Sequence, residues 1–220
     1  MTARRPTVVA FDVIETLFSL APVDDALRPL DVRLDLFFAR LLRDGFALAA
    51  AGSYRPFRDV ARSTLAGLRP GIGDDAIEAV LDAFGRLPAH PDAQPAFQLL
   101  VDNDLTVVTL SNGGAGTTRR LLETAGLAPY VERVVSIDEA AAWKPAPHPY
   151  RRLAEVLGLD PRRVAMVAVH AWDVHGAGQA GFVTGWAARL EGHYPAVFDP
   201  PDVSGPDLVA VAGGLLTLPG

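Results

Sequence analysis

Continuous apolar runs alternate along the chain with segments of helical periodicity. Four valine-rich runs fit strands that are buried on both faces, as in a parallel sheet. They lie at residues 7–11, 105–110, 133–137 and 163–169. Segments with apolar residues at helical spacing lie at residues 116–127, 148–159, 174–182 and 206–218. The alternation predicts βαβ units and therefore an α/β fold with a Rossmann-like, doubly wound parallel sheet.

Residues 22–87 depart from this alternation. They show no strand pattern, and three stretches carry apolar residues at helical spacing. These stretches lie at residues 35–52, 56–68 and 73–87. Because a crossover between parallel strands needs only about a dozen residues, the segment is predicted to be an inserted helical cap subdomain. We expect residues 21–89 to form this subdomain and residues 1–20 and 90–220 to form the core domain.

Composition restricts the classes of function. Half of the 220 residues are hydrophobic, which is enough for a substantial core. The net charge of −6 and the lack of a Lys/Arg cluster argue against nucleic acid as a partner. The absence of cysteine excludes disulfides and thiolate chemistry. No apolar segment reaches transmembrane length, and the first apolar run suits a strand better than a signal peptide, so we expect a cytoplasmic protein that does not bind membranes.

Polar residues follow the ends of three predicted strands and occupy one proline-rich loop. In an open parallel sheet, functional groups gather outside the carboxyl ends of the strands. We therefore expect carboxylates, a hydroxyl, an amide, an imidazole and an amine to meet at one edge. These groups belong to Asp12, Ser111, Asn112, Lys144, His170 and Asp173.

Four stretches in this order resemble the motifs of the haloacid dehalogenase (HAD) superfamily of hydrolases. "FDVIETLF" is similar to the first motif, "LSNGG" to the second, "WKPAPHPY" to the third and "VHAWDVHGAGQAGF" to the fourth. The resemblance covers nearly the whole chain. It implies the HAD fold, and the helical insertion falls where this superfamily places its cap.

The resemblance also favours one branch of the superfamily. Magnesium phosphatases of the superfamily carry a general acid two residues after the nucleophile, but that position is Ile14 here. Their metal-binding Gly-Asp pair corresponds to Ala168 and Val169, and valine offers no oxygen ligand. These departures fit the L-2-haloacid dehalogenase branch, which works without metal. The "AWD" triplet and the spacing from Lys144 to Tyr150 are specific to that branch. The resemblance thus implies no metal and no cofactor.

This branch implies a covalent mechanism. Asp12 would attack the carbon that carries the halogen and form an ester, which water would then hydrolyse. Lys144 would keep Asp12 ionised, because a nearby opposite charge favours the charged form. Asp173 would hold Lys144 and help to orient the water.

The remaining matched residues would position the reactants. Thr16 would fix the Asp12 side chain by a hydrogen bond. Ser111 and backbone N–H groups near Asn112 would hold the carboxylate of the substrate. Tyr150 would support the lysine side of the pocket, and Trp172 would contribute to the substrate pocket.

Four positions depart from the branch. Glu15 replaces a glycine that permits a tight loop, and Phe38 replaces an arginine that helps to bind the leaving halide. His170 replaces an asparagine and Ala168 a serine. His170 could partly replace the lost arginine as a protonated imidazole, or act with Glu15 as a pair that activates water. The interpretation favoured by the sequence is plainer: Glu15 is a solvated loop residue and His170 a neutral, satisfied side chain.

Three functions follow from these observations. The leading hypothesis is a hydrolase of the 2-haloacid dehalogenase type that acts on a small 2-haloalkanoic acid through an aspartyl ester. The alternatives are a HAD-like hydrolase of another small substrate, such as a phosphatase, and a non-catalytic protein with the HAD fold. The partner expected is a small-molecule carboxylate. The branch often pairs through helices, which implies a homodimer.

Overall fold

A computed structural model describes residues 3–220; residues 1 and 2 of the predicted core domain lie outside the described residues. Six parallel strands form one sheet in the order β3-β2-β1-β4-β5-β6 within this part of the chain. The strands are β1 (Val8–Phe11), β2 (Thr106–Ser111), β3 (Val131–Ser136), β4 (Val164–Ala168), β5 (Val183–Ala187) and β6 (Val203–Gly205). Strand order reverses direction at β1, so the doubly wound α/β fold predicted from the sequence is confirmed.

Nine α-helices connect or flank these strands in the described chain. They are α1 (Ala21–Leu27), α2 (Leu34–Ala50), α3 (Phe57–Leu68), α4 (Asp74–Ala83), α5 (Ala93–Val101), α6 (Ala115–Thr124), α7 (Pro147–Leu157), α8 (Ala171–Gln179) and α9 (Leu208–Leu216). Single 3₁₀ turns lie at Arg28–Leu30, Ala128–Tyr130, Ile137–Glu139 and Pro161–Arg163. Among residues 3–220, no helix is both long enough and apolar enough to cross a bilayer.

The central strands are made of the predicted apolar runs. β1 and β4 are fully buried along their length and pair in register, Val8 with Val164 and Phe11 with Val167. β2 pairs with the other side of β1, from Val8 opposite Thr106 onward. This in-register pairing brings the carboxyl ends of the three strands together, and the site is built there.

Two strands were missed by the sequence prediction. β5 is interrupted by Gly185, which weakens its apolar pattern. A Cβ at this position would lie 2.6 Å from the side chain of Val211, so the close packing of α9 requires glycine there. β6 has only three residues and is held by its pairing with β5. Helices α1 and α5 were also not predicted.

Helices α1 to α4 occupy the segment between β1 and α5. α2 packs on α3, α3 on α4, and α4 on α1, so this segment has its own helix contacts. Trp143, one residue before Lys144, contacts this helical segment from the loop that follows β3. The Trp143 indole donates a hydrogen bond to the carbonyl of Arg55 (2.9 Å) and stacks on Phe57 at 5.8 Å. The division of the chain into a cap and a core at residues 20 and 89 stays a prediction.

Candidate active site

Asp12 lies one residue beyond β1 and is almost completely buried. Its Oδ1 accepts a hydrogen bond from Lys144 Nζ at 2.8 Å, and its Oδ2 accepts one from Thr16 Oγ1 at 2.7 Å. Burial alone would raise the pKa of Asp12, but the charges and hydrogen bonds of Lys144 and His170 lower it well below its ordinary value. Asp12 is therefore ionised at neutral pH and fixed in one orientation.

Lys144 is fully buried and has an acceptor for each of its three ammonium protons. Nζ donates to Asp12 Oδ1, to Asp173 Oδ2 at 2.6 Å and to the carbonyl of Leu110 at 2.9 Å. Burial opposes the charged form, but the two carboxylates outweigh it and raise the pKa of Lys144. A buried lysine that is fully paired in this way serves as a fixed positive charge beside Asp12.

Asp173 connects Lys144 to Tyr150. The Tyr150 hydroxyl donates to Asp173 Oδ1 at 2.6 Å, while Asp173 Oδ2 accepts from the lysine. Burial raises the pKa of Asp173, and the nearby negative charge of Asp12 adds to this effect. Burial and the carboxylate of Asp173 raise the pKa of Tyr150 well above its ordinary value. The Tyr150 phenol therefore stays protonated and donates to Asp173, and in this way it supports the residue that holds Lys144.

Ser111 and Asn112 lie at the end of β2, where the sequence places them. Ser111 Oγ accepts a hydrogen bond from the Gly113 N–H at 2.9 Å, and Asn112 Oδ1 accepts one from the Lys144 N–H at 3.0 Å. Asn112 thus connects the end of β2 to the loop at residues 140–146, which carries Lys144 and is called the lysine loop below. Ser111 also lies on the wall of a cavity of about 230 Å³ between the sheet edge and helices α3, α4 and α6.

His170 lies between two carboxylates. Its Nε2 is 2.9 Å from Glu15 Oε2, and its Nδ1 is 3.4 Å from Asp12 Oδ2. Burial would lower the pKa of His170, but the hydrogen bonds and charges of Asp12 and Glu15 raise it to about 10. Trp172 stacks on the imidazole at 5.0 Å, an arrangement that favours a cation over an aromatic face.

The favoured interpretation of this pair from the sequence is wrong. Glu15 is mostly buried and bonded to His170, not solvated, and His170 is an imidazolium at neutral pH, not a neutral side chain. Glu15 accepts the glycine-like backbone of the loop, with φ of +66°. A left-handed conformation costs a non-glycine residue about 1–2 kcal/mol, and the ion pair with His170 offsets part of this cost.

Phe38 and Trp172 lie where helix α2 faces the site. Phe38 is buried on α2 within the large apolar cluster of the protein. Trp172, at the beginning of α8, contacts Phe46 of α2 edge to face at 5.0 Å. Ala168 is buried at the end of β4. An apolar side chain therefore occupies the α2 position where the resemblance leads one to expect an arginine.

Two site-supporting residues were missed by the sequence analysis because β5 was missed. Arg189 follows this strand, and its guanidinium donates to the carbonyl of Thr16 at 2.6 Å. Glu191 accepts a hydrogen bond from the Ala171 N–H at 3.1 Å, at the first turn of α8. Residues at the carboxyl end of a strand are where such groups are expected, so recognition of β5 would have identified both.

The described residues place the candidate groups together at one edge of the sheet. Within residues 3–220, no cluster of three or more acidic or histidine side chains has a geometry suited to a metal ion. The fold and the site define an α/β enzyme built around an ionised, buried carboxylate held by a buried lysine. Residues 6–181 match the haloacid dehalogenase-like hydrolases, and the chain belongs to this family.

Curated relatives and solved structures point to one part of this family. The chain is 31% identical over 191 residues to an (S)-2-haloacid dehalogenase of Xanthobacter autotrophicus, covering 83% of this chain and 75% of that protein. It is 24% identical to haloacetate dehalogenase H-2 of Moraxella sp. (strain B), over 94% of this chain and 97% of that protein.

The fold is also similar to that of a 2-haloacid dehalogenase of known structure. The structure matches that of L-2-haloacid dehalogenase from X. autotrophicus with chloropropionic acid covalently bound, with a TM-score of 0.87 and 26% identity. The match covers 96% of this chain and 99% of the other.

Proposed function

We propose that this protein hydrolyses the carbon–halogen bond of a small 2-haloalkanoic acid through an ester on Asp12. The observation that carries the proposal is the Asp12 carboxylate, which is buried and ionised and is held by Lys144 and Thr16. A carboxylate oriented in this way is a nucleophile for an in-line displacement. Membership of the family and the named activities of the relatives support the choice of substrate class.

In the first step, an oxygen of Asp12 attacks C2 of the acid, the C–O bond forms, and the halide leaves with the electron pair of the C–X bond. Ser111 and the N–H groups that follow β2 hold the substrate carboxylate. Lys144 does not transfer a proton in this step, because its three protons are all engaged with acceptors. Its part is to keep Asp12 ionised until the substrate arrives.

His170 takes over the support of the leaving halide. The arginine that the branch uses is replaced by Phe38, which has no donor. His170 is cationic at neutral pH, and its Nδ1 faces Asp12 Oδ2 at 3.4 Å, which is long for a hydrogen bond. A charged N–H that is only loosely engaged by the nucleophile can donate to a departing anion and stabilise it.

The same imidazole changes its role once the ester forms. Esterification removes the negative charge of Asp12, and with it one of the two carboxylates that raise the pKa of His170. Nδ1 then loses its proton to solvent together with the halide. Glu15 holds Nε2–H, as the acid of a catalytic triad orients its histidine. Nδ1 accepts one proton from water as the water oxygen bonds to the ester carbonyl carbon. The bond from this carbon to the C2 oxygen then breaks, the second proton of the water passes to the departing alkoxide to give the 2-hydroxy acid, and Asp12 is again a carboxylate.

A magnesium-dependent phosphatase is the weaker candidate. The position of the phosphatase general acid is Ile14, which lies on the wall of the apolar cavity. The position of the metal-binding acid is Val169, which is fully buried in the main apolar cluster. Neither side chain can transfer a proton or bind a hard cation.

The test is halide release from L-2-chloropropionate by the unmodified protein and by Asp12→Asn. We expect chloride release by the unmodified protein and a loss of at least about 1,000-fold in the variant, because an amide is a far weaker nucleophile than a carboxylate. The exposed Asp25→Asn on α1 is the matched control and should retain full activity. A single turnover in ¹⁸O-labelled water should place the label on the peptide that contains Asp12.

Other outcomes would point elsewhere. An unlabelled Asp12 peptide with labelled product would contradict the ester, and hydrolysis of p-nitrophenyl phosphate with magnesium would support the phosphatase. Absence of both activities would favour a non-catalytic protein. We also propose that the protein is a cytoplasmic homodimer. Light scattering of the purified protein would measure the mass of the assembly.

A further inference from the structure

The cavity of about 230 Å³ begins at the proposed carboxylate site. Its wall includes Ser111 and the two residues that follow Asp12, Val13 and Ile14. Gly113 lies on the same wall, and a Cβ built there would be 3.2 Å from Ser111 Oγ and 3.6 Å from Ile14 Cδ1. The cavity and the residues proposed to hold the substrate carboxylate therefore share one continuous surface.

Apolar side chains form most of the cavity wall. They come from the segment after β1, from α6, and from helices α3 and α4 on the opposite side. The apolar lining residues are Val13, Ile14, Pro56, Phe57, Leu81, Phe84 and Leu121, and Thr117 and Thr118 of α6 also lie on the wall. Phe57 and Phe84 contact each other edge to face at 5.1 Å, so the wall on the helical side is firmly packed. Such a wall suits an apolar group and offers little to a polar one.

The single cation at the described cavity wall, Arg58, is already paired with carboxylates, and the carboxylate of Asp138 is hydrogen-bonded. Arg58 is bonded to Glu78 and, at 3.2 Å, to Asp82. Asp138 accepts a hydrogen bond from the hydroxyl of Tyr54. A second carboxylate on a ligand would therefore find no free cation at the cavity, and burying an unpaired charge is costly.

We propose that this cavity receives the substituent on C2 of the substrate, so that the preferred substrates are 2-haloalkanoic acids with an uncharged alkyl chain. The inference rests on the proposed function and names its substrate class. At about 30 Å³ for each water-sized group, a volume of about 230 Å³ holds about seven such groups, so the four-carbon chain of a 2-halohexanoic acid fits inside it. A 2-halohexanoic acid is therefore a better substrate than a two- or three-carbon acid, because its longer chain buries more apolar surface in the cavity.

The test is a series of bromo acids with one leaving group: L-2-bromopropionate, L-2-bromobutyrate and L-2-bromohexanoate. Burial of each added methylene is worth a factor of about four. We expect kcat/KM for bromide release to rise by at least about tenfold from the three-carbon to the six-carbon acid. L-2-Bromoadipate has the same chain length but a second carboxylate, and should react at least about tenfold more slowly than L-2-bromohexanoate. A flat or falling series, or an equally good adipate, would overturn the inference.

Two opposite substitutions locate the effect. Leu81→Phe fills the cavity and should lower the hexanoate-to-propionate ratio of kcat/KM by about fivefold or more, whereas Phe84→Leu enlarges it and should raise this ratio. Leu36→Phe, at an exposed site on α2, is the matched control and should leave the ratio unchanged. A ratio that moves in the same direction in both variants would contradict the assignment.

The two proposals fail in different ways. Absence of bromide release from every acid would refute the proposed function. Release from L-2-bromopropionate without a gain for longer chains would overturn only the cavity inference. The substrate series uses the unmodified protein, so it decides the question even if a variant does not fold.

Discussion

At the scale of single residues, the pair of Glu15 and His170 separates this site from the pattern of its branch. Glu15 adopts a left-handed backbone and is bonded to an imidazole that also faces Asp12. The backbone conformation is unfavourable for any residue with a Cβ, while the side chain supplies a charge for His170. Substitution can separate the free-energy cost of the left-handed backbone at Glu15 from the stabilisation by its carboxylate.

Two substitutions of Glu15 test this separation. Both Glu15→Gly and Glu15→Gln remove the carboxylate, but only glutamine keeps the unfavourable backbone at φ of +66°. We expect the glycine variant to be more stable than the glutamine variant by about 1 kcal/mol. Urea denaturation at pH 7 measures the difference. Equal stabilities, or a more stable glutamine variant, would show that the loop changes its conformation when the carboxylate is lost.

The raised pKa of His170 makes stability depend on pH. The folded state keeps the proton up to about pH 10, while the unfolded state releases it near pH 6.5. The stabilisation is therefore fully present below about pH 6.5 and is lost as the pH rises to about 10. Glu15→Gln should be less stable than the unmodified protein by about 2 kcal/mol at pH 6, and this difference should shrink towards pH 10. Denaturation curves across this range check it; a constant difference would contradict the assigned protonation.

At the scale of elements, α2 and the lysine loop meet without a gap. A Cβ added at Gly45 of α2 would overlap the ring of Trp143, which directly precedes Lys144 and bonds the carbonyl of Arg55. The helix can approach this ring only because the position has no side chain. One aromatic residue thus fixes the distance between the helical segment and the lysine.

This contact predicts opposite effects for two helical glycines. Gly45→Ala should destabilise the protein by about 1–3 kcal/mol, because the ring must move. Gly67→Ala on α3 meets no atom within 4 Å and should stabilise it by about 0.5–1 kcal/mol through helix propensity. Thermal denaturation of both variants measures the contrast. Stabilisation by Gly45→Ala would mean that the helix and the ring separate easily.

Strands with a continuous apolar sequence could be predicted, and strands whose apolar sequence is interrupted could not. The strands β1, β2 and β4 are continuous apolar runs and were predicted, because burial on both faces leaves a clear signal. β5 was missed because packing of α9 demands a glycine within it. The candidate site residues were predicted from strand ends and motifs. The ionisation of His170 was not, because it depends on distances to Asp12 and Glu15 that no spacing in the sequence reveals.

At the scale of the whole molecule, one ion pair connects distant parts of the chain. Arg189, after β5, pairs with Asp92 and also donates to the carbonyl of Thr16. Asp92 in turn accepts a hydrogen bond from the Leu208 N–H at the beginning of α9. The loop that carries Glu15 and Thr16 is therefore held by Arg189, which follows β5 and is itself fixed by Asp92, at the beginning of α5.

Loss of this pair should be costly compared with loss of an exposed one. Arg189→Met leaves a mostly buried Asp92 without its cation, and we expect a loss of about 2 kcal/mol in the free energy of unfolding. Arg152→Met removes an exposed pair with Glu155 on α7 and should change stability by less than about 0.5 kcal/mol. Urea denaturation compares the two. Similar small losses would show that the Thr16 loop is held mainly by its own contacts.

The stacking of Trp172 on His170 gives the protein a built-in optical signal. The chain has three tryptophans, and this indole lies 5.0 Å from the imidazole, with 29° between the ring planes. A protonated imidazole quenches indole fluorescence by accepting an electron from the excited ring, whereas the neutral form quenches it weakly. Emission from Trp172 should therefore brighten when His170 releases its proton, so that stopped-flow fluorescence can time the lifetime of the covalent intermediate without a labelled substrate.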